Sequence, residues 1–360
     1  MKKQAHKYPY NWTLKDAVFT KDKGKLFSCF ACGGGSTMGY KLAGFDVIGH
    51  NDIDKKMIEV YKENHKPKFS FLESITTFAK RKDLPKELYE LDILDGSPPC
   101  SSFSMAGNRE KDWGKEKVFR EGQAEQVLDT LFFDFIDLAK ELQPKVVVAE
   151  NVKGLLLGAA KEYVIKIYKA FDEAGYYCQH FLLDASKMGV PQRRERVFFI
   201  CLRKDLAKPF LHWADMFTEL PKITMEFDEP GITFKMIRDY SGFNDRPITY
   251  PSILSTWNMR EYGDGSMGET TKRELDKEKF FSYHYLYNDK ICNTIAANDC
   301  NILFDEARYL NSNELCTVGS YPKDYNFLNL KPEYLIGMSV PPIMTAQIAS
   351  NIHEQWLSKL

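Results

Sequence analysis

The sequence lacks an excess of charge of either sign. Its 49 Lys and Arg residues nearly balance its 50 Asp and Glu residues, which leaves a formal net charge of -1. This balance excludes a uniformly basic, histone-like nucleic-acid binder but allows a local basic face. No apolar run reaches the length of a membrane-spanning helix, and the basic residues 1–7 lead into no apolar segment of a secretory leader. We therefore expect a cytoplasmic protein with no membrane contact.

A second cysteine pair that would complete a zinc site is also missing. The eight cysteines are scattered, and the single C-x-x-C, formed by Cys29 and Cys32, begins inside a predicted strand. Reduced thiols and no metal site are the expectation. The 360 residues are enough for one large domain and one smaller domain.

What the sequence does contain begins with a nucleotide-binding pattern. Residues 25–31 predict a buried strand, glycines follow at 33–35, and a helix over 38–43 leads to a strand over 45–50 and then to Asp52. Strand, glycine turn, helix, strand and acidic tip form half of a doubly wound sheet. Consecutive glycines lack the G-x-G-x-x-G spacing for NAD and suit a ligand without pyrophosphate, such as S-adenosylmethionine. A tight turn without any ligand is an equally good interpretation.

A cysteine follows another short apolar strand, over residues 91–94. Pro98 and Pro99 restrict the backbone in front of Cys100, and small hydroxyl residues follow it. A nucleophile can be set in this way at the carboxyl end of a strand, beneath a loop able to close over it. For a lone cysteine, however, a buried packing role is the ordinary interpretation.

Two further strands are predicted to end in charged residues. The strand over 145–149 ends at Glu150, whose carboxyl pKa we expect to be raised in a semi-buried site, as suits a proton donor. Capping of the next helix is the alternative role for Glu150. Alternation puts Arg194 and Arg196 on one face of a strand, where two guanidiniums can hold a phosphate or a carbonyl oxygen.

The remaining patterns concern domain organisation. Apolar residues at helical spacing predict a helix over 123–142 that covers the sheet, and another over 342–357. Between about residues 205 and 304 no helix or strand series dominates. We predict a catalytic and cofactor-binding domain over 1–204, completed by 333–360, and a second domain over 205–332.

Five ordered blocks together resemble the DNA (cytosine-5)-methyltransferase family. They are residues 30–35, 98–100, 150–152, 192–196 and 337–341. Each block alone is unspecific, whereas five in the family's order are highly specific. The resemblance implies an α/β fold, a doubly wound Rossmann-like methyltransferase sheet, with a second, smaller β-rich target-recognition domain.

The resemblance also implies a reaction. A methyl group would pass from S-adenosylmethionine to carbon 5 of a cytosine flipped out of a specific DNA sequence, after Cys100 adds to carbon 6. Glu150 would hydrogen-bond the ring, Arg196 would hold its carbonyl oxygen, and Arg194 would support the cysteine loop and the target backbone. The implied cofactor-binding residues are Phe30, Gly33, Gly34, Gly35, Asp52, Ile53, Ser74, Ile75, Pro98 and Ser339. The implied DNA-binding residues are Ser104, Gly107, Arg109 and Thr294. The first three lie in a candidate lid over 101–122, for which an ordinary surface loop is the less favoured alternative.

The chain departs from the family's usual pattern at several positions, which are Cys32, Asp52, Ser74, Ser101 and Met338. None of these changes removes a catalytic group. Double-stranded DNA is the expected partner, with a cognate restriction endonuclease as a possible second one, and we expect a monomer on DNA. A tRNA cytosine-5 methyltransferase and a catalytically idle DNA-binding regulator are the alternatives.

Overall fold

The computed structural model describes residues 6–99, 130–158, 160–215, 218–298 and 300–360, and the backbone of 116–117 and 126–127. Within these ranges the strands are β1 Lys25–Cys29, β2 Asp46–Asp52, β3 Phe69–Leu72, β4 Ile93–Gly96, β5 Glu116–Lys117, β6 Gln126–Val127, β7 Val146–Val152, β8 Tyr176–Asp184, β9 Glu195–Arg203, β10 Leu211–Trp213, β11 Glu219–Pro221, β12 His284–Leu286 and β13 Asn301–Leu303. The helices are α1 Gly35–Leu42, α2 Lys55–His65, α3 Ile75–Phe78, α4 Leu131–Leu142, α5 Ala160–Glu173, α6 Pro251–Asn258, α7 Met267–Leu275, α8 Ser312–Val318, α9 Pro332–Met338 and α10 Pro342–Gln355. No helix in the described part of the chain is long and apolar enough to cross a membrane.

The chain divides into two compact units. The first, which we call the sheet unit, comprises Val18–Leu183, Glu195–Glu226 and Ala346–Leu360. The second, which we call the companion unit, comprises Met1–Ala17, Asp184–Arg194 and Phe227–Thr345. The domain boundaries expected from the sequence, after residues 204 and 332, stay a prediction.

A seven-stranded sheet organises the sheet unit, in the order β3-β2-β1-β4-β7-β9-β8. Strands β3, β2, β1, β4 and β7 run parallel, and β9 pairs antiparallel with β7. All four residues of β4 are buried, as expected where helices cover both faces of a parallel sheet. The strand order reverses between β1 and β4, and a ligand crevice forms at such a switch point in α/β sheets. The α/β class and the Rossmann-like sheet predicted from the sequence are confirmed.

Helices α4 and α5 contribute apolar side chains to the main core of the sheet unit. Phe132 and Phe135 of α4, and Ile167 and Phe171 of α5, are almost wholly buried in one cluster with the strands. The sequence predicted α4 from residue 123, but the helix begins at Leu131. Ahead of the helix, residues 126–127 form β6, which pairs antiparallel with β5.

The companion unit differs from the β-rich domain that the family resemblance led us to expect. Among its described residues, one two-stranded parallel sheet, β12 with β13, accompanies helices α6, α7, α8 and α9. These helices have only seven to nine residues; a proline in the first turn begins α6 and α9, and a side-chain cap begins α7 and α8. The Ser266 side chain caps α7, and Asn311 forms a capping box with Glu314 at α8. Helices this short leave too little periodicity for a sequence pattern to detect.

Candidate functional site

The glycine loop follows β1 at the switch point of the sheet. Gly34 has φ of 85°, a left-handed conformation that suits glycine, and a Cβ there would lie 2.3 Å from His65 Nε2. Phe30 and Cys32 also have positive φ, of 51° and 49°. Non-glycine residues in this conformation are strained, and such strain clusters at functional sites. A glycine at position 32, which the family usually has, would adopt this φ without strain. Cys32 therefore raises the energy of the backbone in the loop.

An acid at the end of β2 holds this loop in place. The Asp52 carboxylate accepts the Cys32 N–H at Oδ2 and the Asp54 N–H at Oδ1, both at 2.8 Å. A carboxylate can accept about four hydrogen bonds, so this geometry is compatible with ribose hydroxyls as further donors. Ile53 is half-buried beside the acid. The arrangement fits an adenosine group in the crevice.

Two other residues that the sequence assigned to the cofactor lie at the start of α3. The Ser74 side chain caps this helix, because its Oγ accepts the Thr77 N–H at 3.2 Å. Its hydroxyl also shares a hydrogen bond of 3.0 Å with Thr77 Oγ1. Ile75 is 2% exposed and belongs to the main core. Ser74 therefore has a structural role whether or not it also meets a ligand.

The ends of β4, β7 and β9 bring three predicted site residues together. Asn151 Nδ2 donates to the Pro98 carbonyl at 3.2 Å, which ties β7 to the segment leading to Cys100. Glu150 Oε1 lies 3.1 Å from Arg196 Nε in a mostly buried ion pair. Burial lowers the pKa of Arg196, while the Glu150 charge opposes that change. A carboxylate and a guanidinium are thus fixed side by side, so that the site offers both a hydrogen-bond acceptor and hydrogen-bond donors.

Arg194 makes its contacts within the companion unit. Strand β9 begins at Glu195, so Arg194 precedes the strand on which alternation had placed it. Its guanidinium donates from Nη1 to the Ile295 carbonyl at 2.9 Å and from Nη2 to the Gly337 carbonyl at 2.8 Å. Arg194 is 3% exposed. These bonds give it a structural role that the sequence did not indicate.

Thr294 and Ser339 also form defined contacts in the companion unit. Thr294 is exposed, and its Oγ1 donates to the Arg193 carbonyl. Ser339 is buried; its Oγ donates to the Leu335 carbonyl at 2.8 Å and accepts the Tyr321 hydroxyl at 2.7 Å. Thr294 remains accessible to a large ligand, whereas the Ser339 hydroxyl is held inside the unit.

A cavity of about 400 Å³ in the companion unit is lined by Asn293, the residue that precedes Thr294 in the chain. Its lining includes the cationic side chains of Arg193 and Lys290 and the carboxylate of Glu269, together with His284 and Asn293. Arg193, Lys290 and His284 are exposed. This lining presents hydrogen-bond donors and positive charge, which are the groups that bind phosphates and base edges.

Sequence reasoning missed one buried polar cluster. Asp95 of β4 accepts hydrogen bonds from Ser28 Oγ at 2.7 Å and Ser36 Oγ at 2.9 Å, both at Oδ2, and from the Tyr40 hydroxyl at 3.0 Å, at Oδ1. Burial raises the pKa of Asp95 to about 6, and the negative charge of Glu150 adds to this effect. The feature of the sequence that could have indicated this cluster is Asp95 itself, an ionisable residue inside an otherwise apolar strand.

The remaining predicted residues lie outside the described part of the chain. They are Cys100, Ser104, Gly107 and Arg109. Most residues of the expected lid, 101–122, also lie outside the described part. Among the described residues, no group of three or more His, Cys, Asp or Glu side chains is arranged to hold a metal ion.

A family model described as C-5 cytosine-specific DNA methylase matches residues 24–354. The Type II methyltransferase M.FnuDI of Fusobacterium nucleatum is 39% identical over 182 residues, covering 51% of this chain and 48% of that protein. The Type II methyltransferase M.NgoPII of Neisseria gonorrhoeae is 34% identical over 211 residues, covering 59% of this chain and 55% of its own length. The chain thus spans about half the length of these two relatives. M1.HphI of Haemophilus parahaemolyticus, another Type II methyltransferase, is 26% identical and covers 90% of this chain and 85% of its own length.

Solved structures share the fold at low identity. A mutant of DNMT2 from Spodoptera frugiperda has a TM-score of 0.60 and 18% identity, covering 90% of this chain and 98% of its own. The S. pombe Dnmt2 methyltransferase has a TM-score of 0.58 and 16% identity, covering 92% of this chain and 98% of its own. At these identities the likeness concerns the fold alone.

Proposed function

Because the chain belongs to the C-5 cytosine-specific DNA methylase family, we propose that it transfers a methyl group from S-adenosylmethionine to carbon 5 of a cytosine in a specific DNA sequence. The observation that carries this proposal is the junction at the ends of β4, β7 and β9. There the Glu150–Arg196 pair stands beside Asn151, which holds the Pro98 carbonyl two residues before Cys100. A duplex hides carbon 5 and carbon 6, so the cytosine would be flipped out of the helix to reach this junction.

Cys100 and the residues of this junction each have a distinct part in the proposed chemistry. The Cys100 thiolate adds to carbon 6, and the electrons of the 5,6 double bond make carbon 5 nucleophilic. Glu150 hydrogen-bonds the ring nitrogen and the exocyclic amine, so that charge building up on the ring is stabilised. Arg196 holds the ring carbonyl oxygen with the guanidinium that already pairs with Glu150. Once carbon 5 has taken the methyl group, a base removes the carbon 5 proton, and the electron pair left behind re-forms the 5,6 double bond as the carbon–sulfur bond breaks and frees Cys100.

The sheet unit would hold the cofactor, which supplies a methyl group carried on a sulfonium. The Asp52 carboxylate would accept the ribose hydroxyls, and the loop from Phe30 to Gly35 would surround the adenosine. Ile53 and Pro98 would supply apolar contacts, and Ile75, which is 2% exposed in the main core, would support them from behind. Ser74 and Ser339 fit this role less well, because the hydroxyl of Ser74 caps α3 and that of Ser339 is held by α9 and Tyr321.

The companion unit would recognise the DNA target. Thr294 and the cavity lined by Asn293 present exposed donors and positive charge, and Ser104, Gly107 and Arg109 would add contacts from a closing lid. The Type II methyltransferase relatives support a place in restriction–modification, with a cognate endonuclease as partner. We also propose a cytoplasmic location and a monomer on DNA.

Bisulfite sequencing of DNA from cells expressing the protein tests this function. Wild-type protein should protect cytosine at one recurring motif, Cys100→Ser should abolish protection, and the control Cys300→Ser should preserve it. A 5-fluorocytosine duplex should trap wild-type enzyme as an adduct that survives boiling in detergent, since fluorine cannot leave as a proton does. Unmarked DNA together with methyl labelling of tRNA would contradict the proposal and indicate a tRNA methyltransferase.

A further inference from the structure

Asp95 lies directly beneath the glycine loop and binds three segments at once. Ser28 is its register partner on β1, Ser36 stands in the first turn of α1 immediately after the glycines, and Tyr40 follows one turn later. The Asp95 side chain is almost wholly buried, with 3% of the residue exposed. One carboxylate therefore connects the start of α1 to the strand that leads to Pro98 and Cys100.

We propose that Asp95 is a positioning residue that holds the glycine loop in the shape that binds S-adenosylmethionine. This inference rests on the proposed function, because it concerns the cofactor of that reaction. An ionised carboxylate only accepts hydrogen bonds, so all three hydroxyls must donate to it. The lone pairs of Ser36 Oγ are then directed away from Asp95, which fixes the first turn of α1. A protonated carboxyl would have to donate one hydrogen bond, and one of the hydroxyls would have to turn round.

The surroundings of Asp95 indicate that a contribution to folding stability does not explain the presence of a carboxylate at this position. In the part of the chain that the structure describes, the titratable groups that interact with Asp95 are Cys29 on β1, Tyr40 on α1, Tyr61 on α2 and Glu150 on β7, and none of these four is a cation. The three hydroxyl donors are therefore the groups that stabilise the negative charge of the Asp95 carboxylate. A buried carboxylate without a cationic partner opposes folding, and functional sites commonly retain residues of this kind.

Cofactor affinity should depend on pH through this group. Since the pKa of Asp95 is about 6, the carboxylate is ionised above that pH and the loop is held. The affinity for S-adenosylmethionine should be full near pH 8 and should fall as the pH drops through about 6. Asp95→Asn, which is uncharged at every pH, should remove this part of the pH dependence.

Isothermal titration calorimetry with S-adenosylmethionine and with S-adenosylhomocysteine, from pH 5.5 to 8, tests the proposal. At pH 8, Asp95→Asn should raise both dissociation constants about tenfold, as expected for loss of a hydrogen-bond network with a charged group. Its melting temperature at pH 8 should not fall, because the substitution removes a buried charge. Equal losses for both ligands are expected because Asp95 acts through the loop rather than on the sulfonium.

Two serines provide a matched comparison that does not depend on Asp95→Asn folding. Ser36→Ala and Ser28→Ala each remove one hydroxyl from the same Oδ2 atom, but only Ser36 adjoins the glycines. Ser36→Ala should weaken cofactor binding about fivefold or more, and Ser28→Ala should stay within about twofold of wild type.

Three results would overturn the role of Asp95. These are Asp95→Asn affinity within twofold of wild type, equal effects of the two serine substitutions, and a loss confined to S-adenosylmethionine, which would indicate direct action on the sulfonium. A wild-type chain that binds no S-adenosylmethionine at any pH would overturn the proposed function as well. Different results would therefore contradict the role of Asp95 and the proposed function.

Discussion

Glu150 and Arg196 form an ion pair with only 13% and 18% of their side chains exposed. Such a pair loses most of its hydration on folding, and the attraction between the charges repays that loss only in part. Two apolar side chains of similar volume would stabilise the fold at least as well. The position of the pair, at the strand ends beside the segment leading to Cys100, is therefore better explained by binding of a polar ligand.

A double-mutant cycle at this pair separates stability from catalysis. Arg196→Met leaves the Glu150 carboxylate buried without its guanidinium and should lower the free energy of unfolding by about 3 kcal/mol. Glu150→Gln combined with Arg196→Met should recover most of that loss, as measured by urea unfolding. Glu150→Gln alone should lower kcat for methyl transfer at least about 100-fold. An Arg196→Met protein as stable as wild type would contradict the view that the pair is energetically coupled.

Single residues were predictable from the sequence where the backbone alone fixes their position. Glu150 follows a run of apolar β-formers, so its place at the end of β7 could be inferred. Arg194 could not be placed correctly, because alternation holds only inside a strand and β9 begins one residue later. Asp95 was missed because its three partners come from β1 and α1, and only the tertiary fold brings them together.

At the scale of elements, a clamp holds the segment of Thr294 in the companion unit. Gln192 Oε1 accepts the Ile295 N–H at 2.9 Å, and Arg194 Nη1 donates to the Ile295 carbonyl. Helix α9 completes the clamp, since Gly337 lies against the backbone of Ala296 and its carbonyl accepts from Arg194. The block 192–196 and the block 337–341, far apart in sequence, thus meet around one short loop.

Gly337→Ala should disrupt this clamp. Its Cβ would lie 2.3 Å from the carbonyl carbon of Ala296, and backbone at that point cannot move aside easily. We expect a loss of about 2 kcal/mol in the free energy of unfolding, as for other overpacked sites. Gly231→Ala is the control, because its Cβ would meet only the movable end of Ile291, at Cδ1. Urea unfolding of both variants measures the difference, and equal stabilities would contradict the close approach.

Elements were predictable in proportion to their length and burial. The parallel strands β1, β2, β4 and β7 are apolar runs with clear ends, and the predicted strands match them to within a few residues, whereas β3 was not predicted. The helices of the companion unit were not found, because α6 and α9 begin with a proline at the first turn and α7 and α8 with a side-chain cap. Such signals mark a helix start but do not reveal a buried face.

At the scale of the whole molecule, a net charge of -1 has a consequence for DNA binding. A chain that is neutral overall gains no general attraction to a polyanion, so affinity for DNA must come from cations gathered at one place. Arg193 and Lys290 line one cavity together with Asn293, in the unit that does not contain the glycine loop. Cofactor binding and DNA binding should therefore respond to different substitutions.

Replacing both cavity cations tests this separation. Arg193→Gln with Lys290→Gln should weaken DNA binding about tenfold near 150 mM salt and reduce the slope of log affinity against log salt by about 2, because each lost phosphate contact releases one counterion fewer. The dissociation constant for S-adenosylmethionine should not change. Lys272→Gln with Lys277→Gln is the control, since both lysines are exposed in the same unit but lie outside the cavity lining. Fluorescence anisotropy across a salt series measures both pairs, and equal slopes would locate the DNA-binding face elsewhere in the chain.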